Sequence, residues 1–162
     1  IPSFSNMISD ARAVFEYFRG VLKEYLYTGP LVVKGRSLGC HSAVEVAAHY
    51  QNELSGLILE SGSAAVARMV ERRGLSLEGP EIAELVRLHN EKLRSITLPL
   101  LIIGGELDGF ISSGAVEELY ESIGSESKTS EVIPGAGHND LWVKGREQYF
   151  TSVQRFISEH CN

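Results

Sequence analysis

An α/β fold built on a mainly parallel sheet, with helices on both faces, is what this 162-residue sequence predicts, and three observations predict it. Short β-branched or leucine-rich runs alternate along the chain with amphipathic stretches of helical period. The strongest run, Leu98 to Ile103, is apolar without alternation, as a strand covered on both faces must be. Successive strands are far enough apart to need crossover helices, which makes their pairing parallel and puts any ligand crevice at the carboxyl ends of the strands.

From Met7 to Tyr25 the residues Met7, Ile8, Ala11, Val14, Phe15, Phe18, Val21, Leu22 and Tyr25 recur at steps of three and four, the stripe of a helix with one buried face, with Ser5 or Ser9 as its cap. Thr28-Gly29-Pro30 stops it. Leu31-Val32-Val33 is a strand that ends at Gly35, residues 38–50 form an alanine-rich helix, and Leu54 to Leu59 returns to strand character. Ser63 to Ser95 holds much of the charge and reads as two short amphipathic helices broken between Gly74 and Pro80. After the Leu98 to Ile103 strand come a helix from Ala115 to Ile123, a strand from Thr129 to Ile133, and a last helix from Leu141 to His160 with Val143, Phe150, Val153, Phe156 and Ile157 inward and Asp140 as its cap. No repeat or linker divides the chain.

Composition sets outer limits. Apolar residues at 43% and charged residues at 22% are those of an ordinary globular domain. The 15 Lys plus Arg against 21 Asp plus Glu leave a net charge of −6, and no local basic patch offsets it, so no nucleic-acid or anionic-membrane surface is expected. No apolar run approaches the roughly 18 residues of a membrane span, and no signal segment opens the sequence. Cys40 and Cys161 form neither a disulfide framework nor a metal-finger spacing, which fits a reducing compartment. A soluble, cytoplasmic protein is expected. No metal-ligand cluster, G-x-G-x-x-G or P-loop is present, so neither metal nor nucleotide cofactor is expected.

Chemistry is to be sought just after each strand. Gly35-Arg36-Ser37-Leu38-Gly39 is a G-x-S-x-G at a strand-to-helix junction, where the glycines permit a sharp turn and the serine hydroxyl stands exposed. A hydroxyl is a poor nucleophile until a base takes its proton, and that base needs a carboxylate to orient it. Gly104-Gly105-Glu106-Leu107-Asp108-Gly109 puts an acid after the strongest strand, and Pro134-Gly135-Ala136-Gly137-His138 puts a histidine after the last one. Plainer readings compete at each position. Ser37 is also placed to cap a helix, Glu106 and Glu60 compete with Asp108 as the acid, and His138 also fits a surface loop. His41, one turn beyond Ser37, reads as an exposed helix residue with grazing of the site as the alternative, His49, His89 and His160 as exposed helix residues, Cys40 as a small buried residue behind the turn rather than a second nucleophile, and Trp142 equally as core or pocket wall.

Together the Gly35 to Gly39 elbow, the G-x-x-D at Gly105 to Asp108 and the glycine-flanked histidine at Gly135 to His138, in the order Ser, Asp, His, resemble the α/β-hydrolase family over essentially the whole chain. The resemblance implies a serine hydrolase acting on a small to medium acyl substrate, with Ser37 as nucleophile, His138 as base and then acid, Asp108 as orienting acid, and the Leu38 backbone N–H as an oxyanion donor. Residues 63–95 then stand where the family inserts a lid, and the different-class alternative is a non-catalytic module that keeps the fold for binding or assembly. In that family several strands and a second oxyanion donor precede the nucleophile, whereas one helix precedes Ser37 here. The expectation is therefore a carboxyl-terminal half of a hydrolase of roughly 250 to 300 residues. Such a half would be weakly active alone, and its open sheet edge would pair with the missing half or with another copy of itself.

Overall fold

The computed structural model describes residues 4–63, 66 and 80–161. Along it run α1 (Phe4–Glu24), β1 (Val32–Arg36), α2 (Gly39–Tyr50), a 3-10 turn at Gln51–Glu53, β2 (Gly56–Glu60), α3 (Pro80–Ser95), β3 (Leu100–Gly105), α4 (Ser113–Ser122), β4 (Lys128–Ile133), α5 (Leu141–Lys144) and α6 (Arg146–His160). Of the helical segment expected at 63–95, the second helix is α3; the first, and the break before Pro80, lie outside the described residues.

The strands make one sheet in the order β1-β2-β3-β4, every pairing parallel. Their apolar runs are continuous because both faces are covered. Leu57, Leu59, Leu100 and Ile102 point into a core shared with Phe15 of α1, Val44 of α2, Leu93 of α3 and Leu119 of α4. The alternate residues Ile58, Leu101 and Ile103 point the other way, onto Leu141, Tyr149 and Phe156 of α5 and α6. Register aligns the carboxyl ends: Arg36 pairs with Glu60, Glu60 with Ile103, and Gly105 with Ile133. The turns after all four strands therefore meet along one edge.

Several local expectations are corrected. Ser5 and Ser9 lie inside α1 rather than at its cap. Phe15 is the buried member of the α1 stripe, while Val14, Phe18 and Tyr25 are exposed. The reason is position: α1 packs on α2 beside β1, and Met7, Ala11, Val14 and Phe18 line an open groove of about 910 Å³ shared with Val33 and Val46. The last helix breaks at Gly145, where φ is −119° and ψ 47°. Beyond it Phe156 is buried and Val153 packs against the same core as expected, but Tyr149 and Ser152 also turn inward while Phe150 and Ile157 face solvent, as do Trp142 and Val143 before it. Asp140 precedes α5, but its side chain accepts from the Gly137 N–H at 2.6 Å instead of capping the helix. Among the described residues no helix is long and apolar enough to cross a membrane, and no group of three His, Cys, Asp or Glu could hold a metal ion.

Candidate functional site

The chain leaves β1 at Arg36 and enters α2 through Ser37, whose φ of 52° places a non-glycine residue in the left-handed region. Such a conformation persists only where its surroundings over-determine it. Here the Ser37 N–H donates to the Glu60 carbonyl at 2.9 Å, and the Ser37 carbonyl accepts from the Cys40 N–H at 3.0 Å. The two glycines of the motif have different jobs. A Cβ on Gly35 would lie 2.6 Å from the Gly39 carbonyl oxygen and 2.7 Å from the Ala43 Cβ, whereas one on Gly39 would meet nothing within 4 Å. Close approach of strand and helix thus depends on Gly35 and not on Gly39.

Asp108 sits on the loop after β3, 8% exposed. Its Oδ1 accepts from the N–H groups of Phe110 and Ile111 at 2.8 and 2.9 Å, and its Oδ2 lies 2.8 Å from Nδ1 of His138. The other ring nitrogen, Nε2, lies 2.9 Å from Oγ of Ser37. A carboxylate only accepts, so Nδ1 carries the proton and Nε2 is left with a lone pair facing the serine hydroxyl. Ser37, His138 and Asp108, separated by up to 101 positions in sequence, form one hydrogen-bonded line. The histidine loop rests directly on the end of β3: a Cβ on Gly105 would strike the carbonyl oxygens of Ala136 and Gly137.

The competing acids have other partners. Glu106 accepts from the Gly135 N–H at 2.8 Å and so shapes the histidine loop from outside. Glu60 is buried and is held by Lys34 at 2.5 Å, Arg36 at 3.2 Å and the Tyr149 hydroxyl at 2.7 Å. Burial pushes its pKa up, but the Lys34 and Tyr149 hydrogen bonds and the neighbouring cations outweigh this and hold it below the ordinary carboxylate value. Burial pushes the Cys40 thiol up to about 12, so it stays protonated beside the turn and is no nucleophile.

Two histidines depart from expectation. His41 and His89 are both buried, 4% exposed each, with ring centroids 5.7 Å apart where α2 meets α3. Desolvation, reinforced by His89, pulls His41 down to about 4, so it is neutral near pH 7. Sequence reasoning passed over Arg36, Asn139 and Phe110, which lie against the histidine loop or ring, and Tyr149, which holds Glu60 behind the turn. Phe110 places its ring 5.1 Å from that of His138. Only the strand-end position of Arg36, next to Ser37, was a legible signal.

A family model described as serine aminopeptidase, S33, matches residues 78–142, a span that contains Asp108 and His138 but not Ser37. An uncharacterized protein of Mycobacterium tuberculosis is 28% identical over 166 residues, covering 98% of this chain and 54% of that protein. The alpha/beta hydrolase domain-containing protein WAV2 of Arabidopsis thaliana is 24% identical over 178 residues, covering 99% of this chain and 56% of that one. The chain thus spans about half the length of the curated relatives it matches. Among solved structures, a thermophilic esterase from Thermogutta terrifontis superposes with a TM-score of 0.68 at 21% identity, covering all of this chain and 75% of that one.

Proposed function

We propose that this chain, which has the fold of the α/β hydrolases, acts as a serine hydrolase of that superfamily, cleaving a carboxylic ester, thioester or amide through an acyl-enzyme on Ser37. The observation that carries the reading is the unbroken line from Ser37 Oγ through His138 to Asp108, with contacts of 2.9 and 2.8 Å. His138 Nε2 takes the hydroxyl proton as Oγ attacks the acyl carbon, and then gives it to the leaving group. Water repeats the sequence in reverse roles, its proton passing to Nε2 and on to Oγ as the acyl–serine bond breaks. Asp108 holds the ring with Nδ1–H toward itself and stabilises the imidazolium formed at each transfer. The Leu38 N–H, at the positive end of α2, is one donor for the tetrahedral oxyanion.

Exposed apolar side chains stand around this line. Leu38 follows the serine, Phe110 lies on the histidine ring, and both are more than half exposed. They suit an apolar acyl group of small to medium size. The test is labelling of the full-length protein by a fluorophosphonate, which phosphonylates an activated serine, with Ser37→Ala as control. Labelling that vanishes in Ser37→Ala supports the reading. An unlabelled native protein, or labelling that survives the substitution, overturns it and favours a binding module on the same fold.

A further inference from the structure

We propose that Arg36 is a positioning residue: it ties the loop carrying His138 to the strands carrying Ser37 and Glu60, and so sets the distance between Nε2 and Oγ. This rests on the reading of Ser37 and His138 given above. The observations are geometric. Arg36 is the last residue of β1 and immediately precedes Ser37. Its Nη2 donates to the His138 carbonyl at 2.7 Å and to Oδ1 of Asn139 at 2.6 Å, while its Nε reaches Oε1 of Glu60 at 3.2 Å. One planar guanidinium therefore spans three groups, two on the histidine loop and one at the end of β2, something a flexible ammonium cannot do.

The other ties of the histidine loop run elsewhere. Glu106 on the acid loop accepts from Gly135, the Ala136 carbonyl accepts from Leu107 at 2.8 Å, and Asp140 closes the loop on Gly137. Those bonds fix the imidazole relative to Asp108. They do not fix it relative to Ser37, which arrives from β1, three places across the sheet from β4. Arg36 makes that connection from the residue next to the nucleophile.

Glu60 gives the connection its stiffness. Its carboxylate is 4% exposed, is clamped by Lys34 and Tyr149 as well as Arg36, and belongs to the residue whose carbonyl holds the Ser37 N–H. Serine backbone and histidine loop are thus referred to one residue, Glu60. Arg36 itself is about half exposed, so its ion pair adds little to overall stability. Its consequence is in alignment: a misplacement of about 1 Å between reacting groups costs on the order of 10²-fold in rate.

The test uses the full-length protein, an activated ester such as a p-nitrophenyl acyl ester, and the fluorophosphonate probe. Arg36→Gln is expected to lower kcat by roughly 10- to 100-fold with KM within about twofold, and to slow fluorophosphonate labelling in parallel, while the melting temperature is unchanged. Arg36→Lys, which still donates to the His138 carbonyl, is expected to recover part of the rate. Asn139→Ala removes one exposed acceptor and is expected to cost less, and to cost nothing further in the Arg36→Gln background. A loss carried by KM would make Arg36 a substrate contact, and a loss that follows the melting temperature would make it a structural residue. Either result, or no change in rate, overturns the proposal. Ser37→Ala separates the two readings: native-like turnover in Arg36→Gln with none in Ser37→Ala defeats only the positioning role, whereas turnover that persists in Ser37→Ala defeats the hydrolase reading itself.

Discussion

Gly35 lies so close beneath α2 that a single methyl on its Cα would come within 2.6 Å of the Gly39 carbonyl oxygen, while the opposite substitution, a methyl on Gly39, points into open space. Both glycines belong to the same five-residue motif, yet only one is there because nothing larger fits. Gly35→Ala is expected to destabilise the fold by about 1–3 kcal/mol, the usual cost of forcing atoms into a packed site. Gly39→Ala is expected to be neutral or slightly stabilising, since it adds a better helix former to the first turn of α2. Chemical denaturation of the two variants checks this, and equal losses would contradict it.

Asp108→Asn separates orientation from packing. The amide oxygen would still accept from the Phe110 and Ile111 N–H groups, so the loop keeps its shape. Its NH2 would then face Nδ1 of His138, which must give up its proton to accept. Nε2 becomes the protonated nitrogen and no longer takes the Ser37 hydroxyl proton. A fall in kcat on the order of 10⁴-fold is expected with little change in melting temperature. Ester turnover measures it, and a loss under tenfold would remove Asp108 from the role.

Glu45 is fully buried where α1, α2 and α3 meet, paired with Arg12 and Lys92. Burial alone pushes its pKa up, but the two cations more than reverse this and hold it below the ordinary value of 4.5. A carboxylate whose folded pKa is depressed contributes stability above its unfolded pKa and loses it as pH falls through the folded one. Glu45→Gln is therefore expected to cost about 1–3 kcal/mol at pH 7, moderated because Arg12 and Lys92 retain access to water. That difference should shrink as the pH is lowered through the range below 4.5. Unfolding curves at several pH values test both parts.

His41 titrates with the same sign by a different route. The unfolded chain takes up its proton near 6.5, while the buried folded side chain resists until about 4. Between those values the unfolded state binds more protons, so stability falls as the solution is acidified. Over the fall from pH 6.5 to pH 5 the expected loss from this residue is about 2 kcal/mol. His41→Phe removes it, and the variant's unfolding free energy should depend less on pH across that window by this amount. Parallel pH dependences in the two proteins would refute it.

Much of the architecture was legible. The uninterrupted apolar run ending at Ile103 announced a strand covered on both faces, and the structure supplies both cores. Placement after strands also puts Ser37, Asp108 and His138 at one edge of the sheet. The errors arose where neighbours decide. His41 and His89 look like polar positions on two separate helices until α2 and α3 pack and bury both. On the last helix Phe156 and Val153 face the core as expected, but Phe150 and Ile157 face solvent and Tyr149 and Ser152 turn inward, a choice made by where the helix rests on the sheet.

Sequence alone determined the alternation of strands and helices, the parallel sheet and the strand ends at which chemistry-bearing residues stand. Those are consequences of local periodicity and of short connections, which each segment carries within itself. Tertiary structure alone decided that Glu60 lies under Arg36 rather than beside His138, that Gly35 and not Gly39 is the glycine the turn cannot replace, and that a guanidinium joins the serine strand to the histidine loop. These are distances between residues up to about a hundred positions apart, as from Arg36 to Asn139. They come into being only when strand register and helix packing bring those residues together, so no window along the chain contains them.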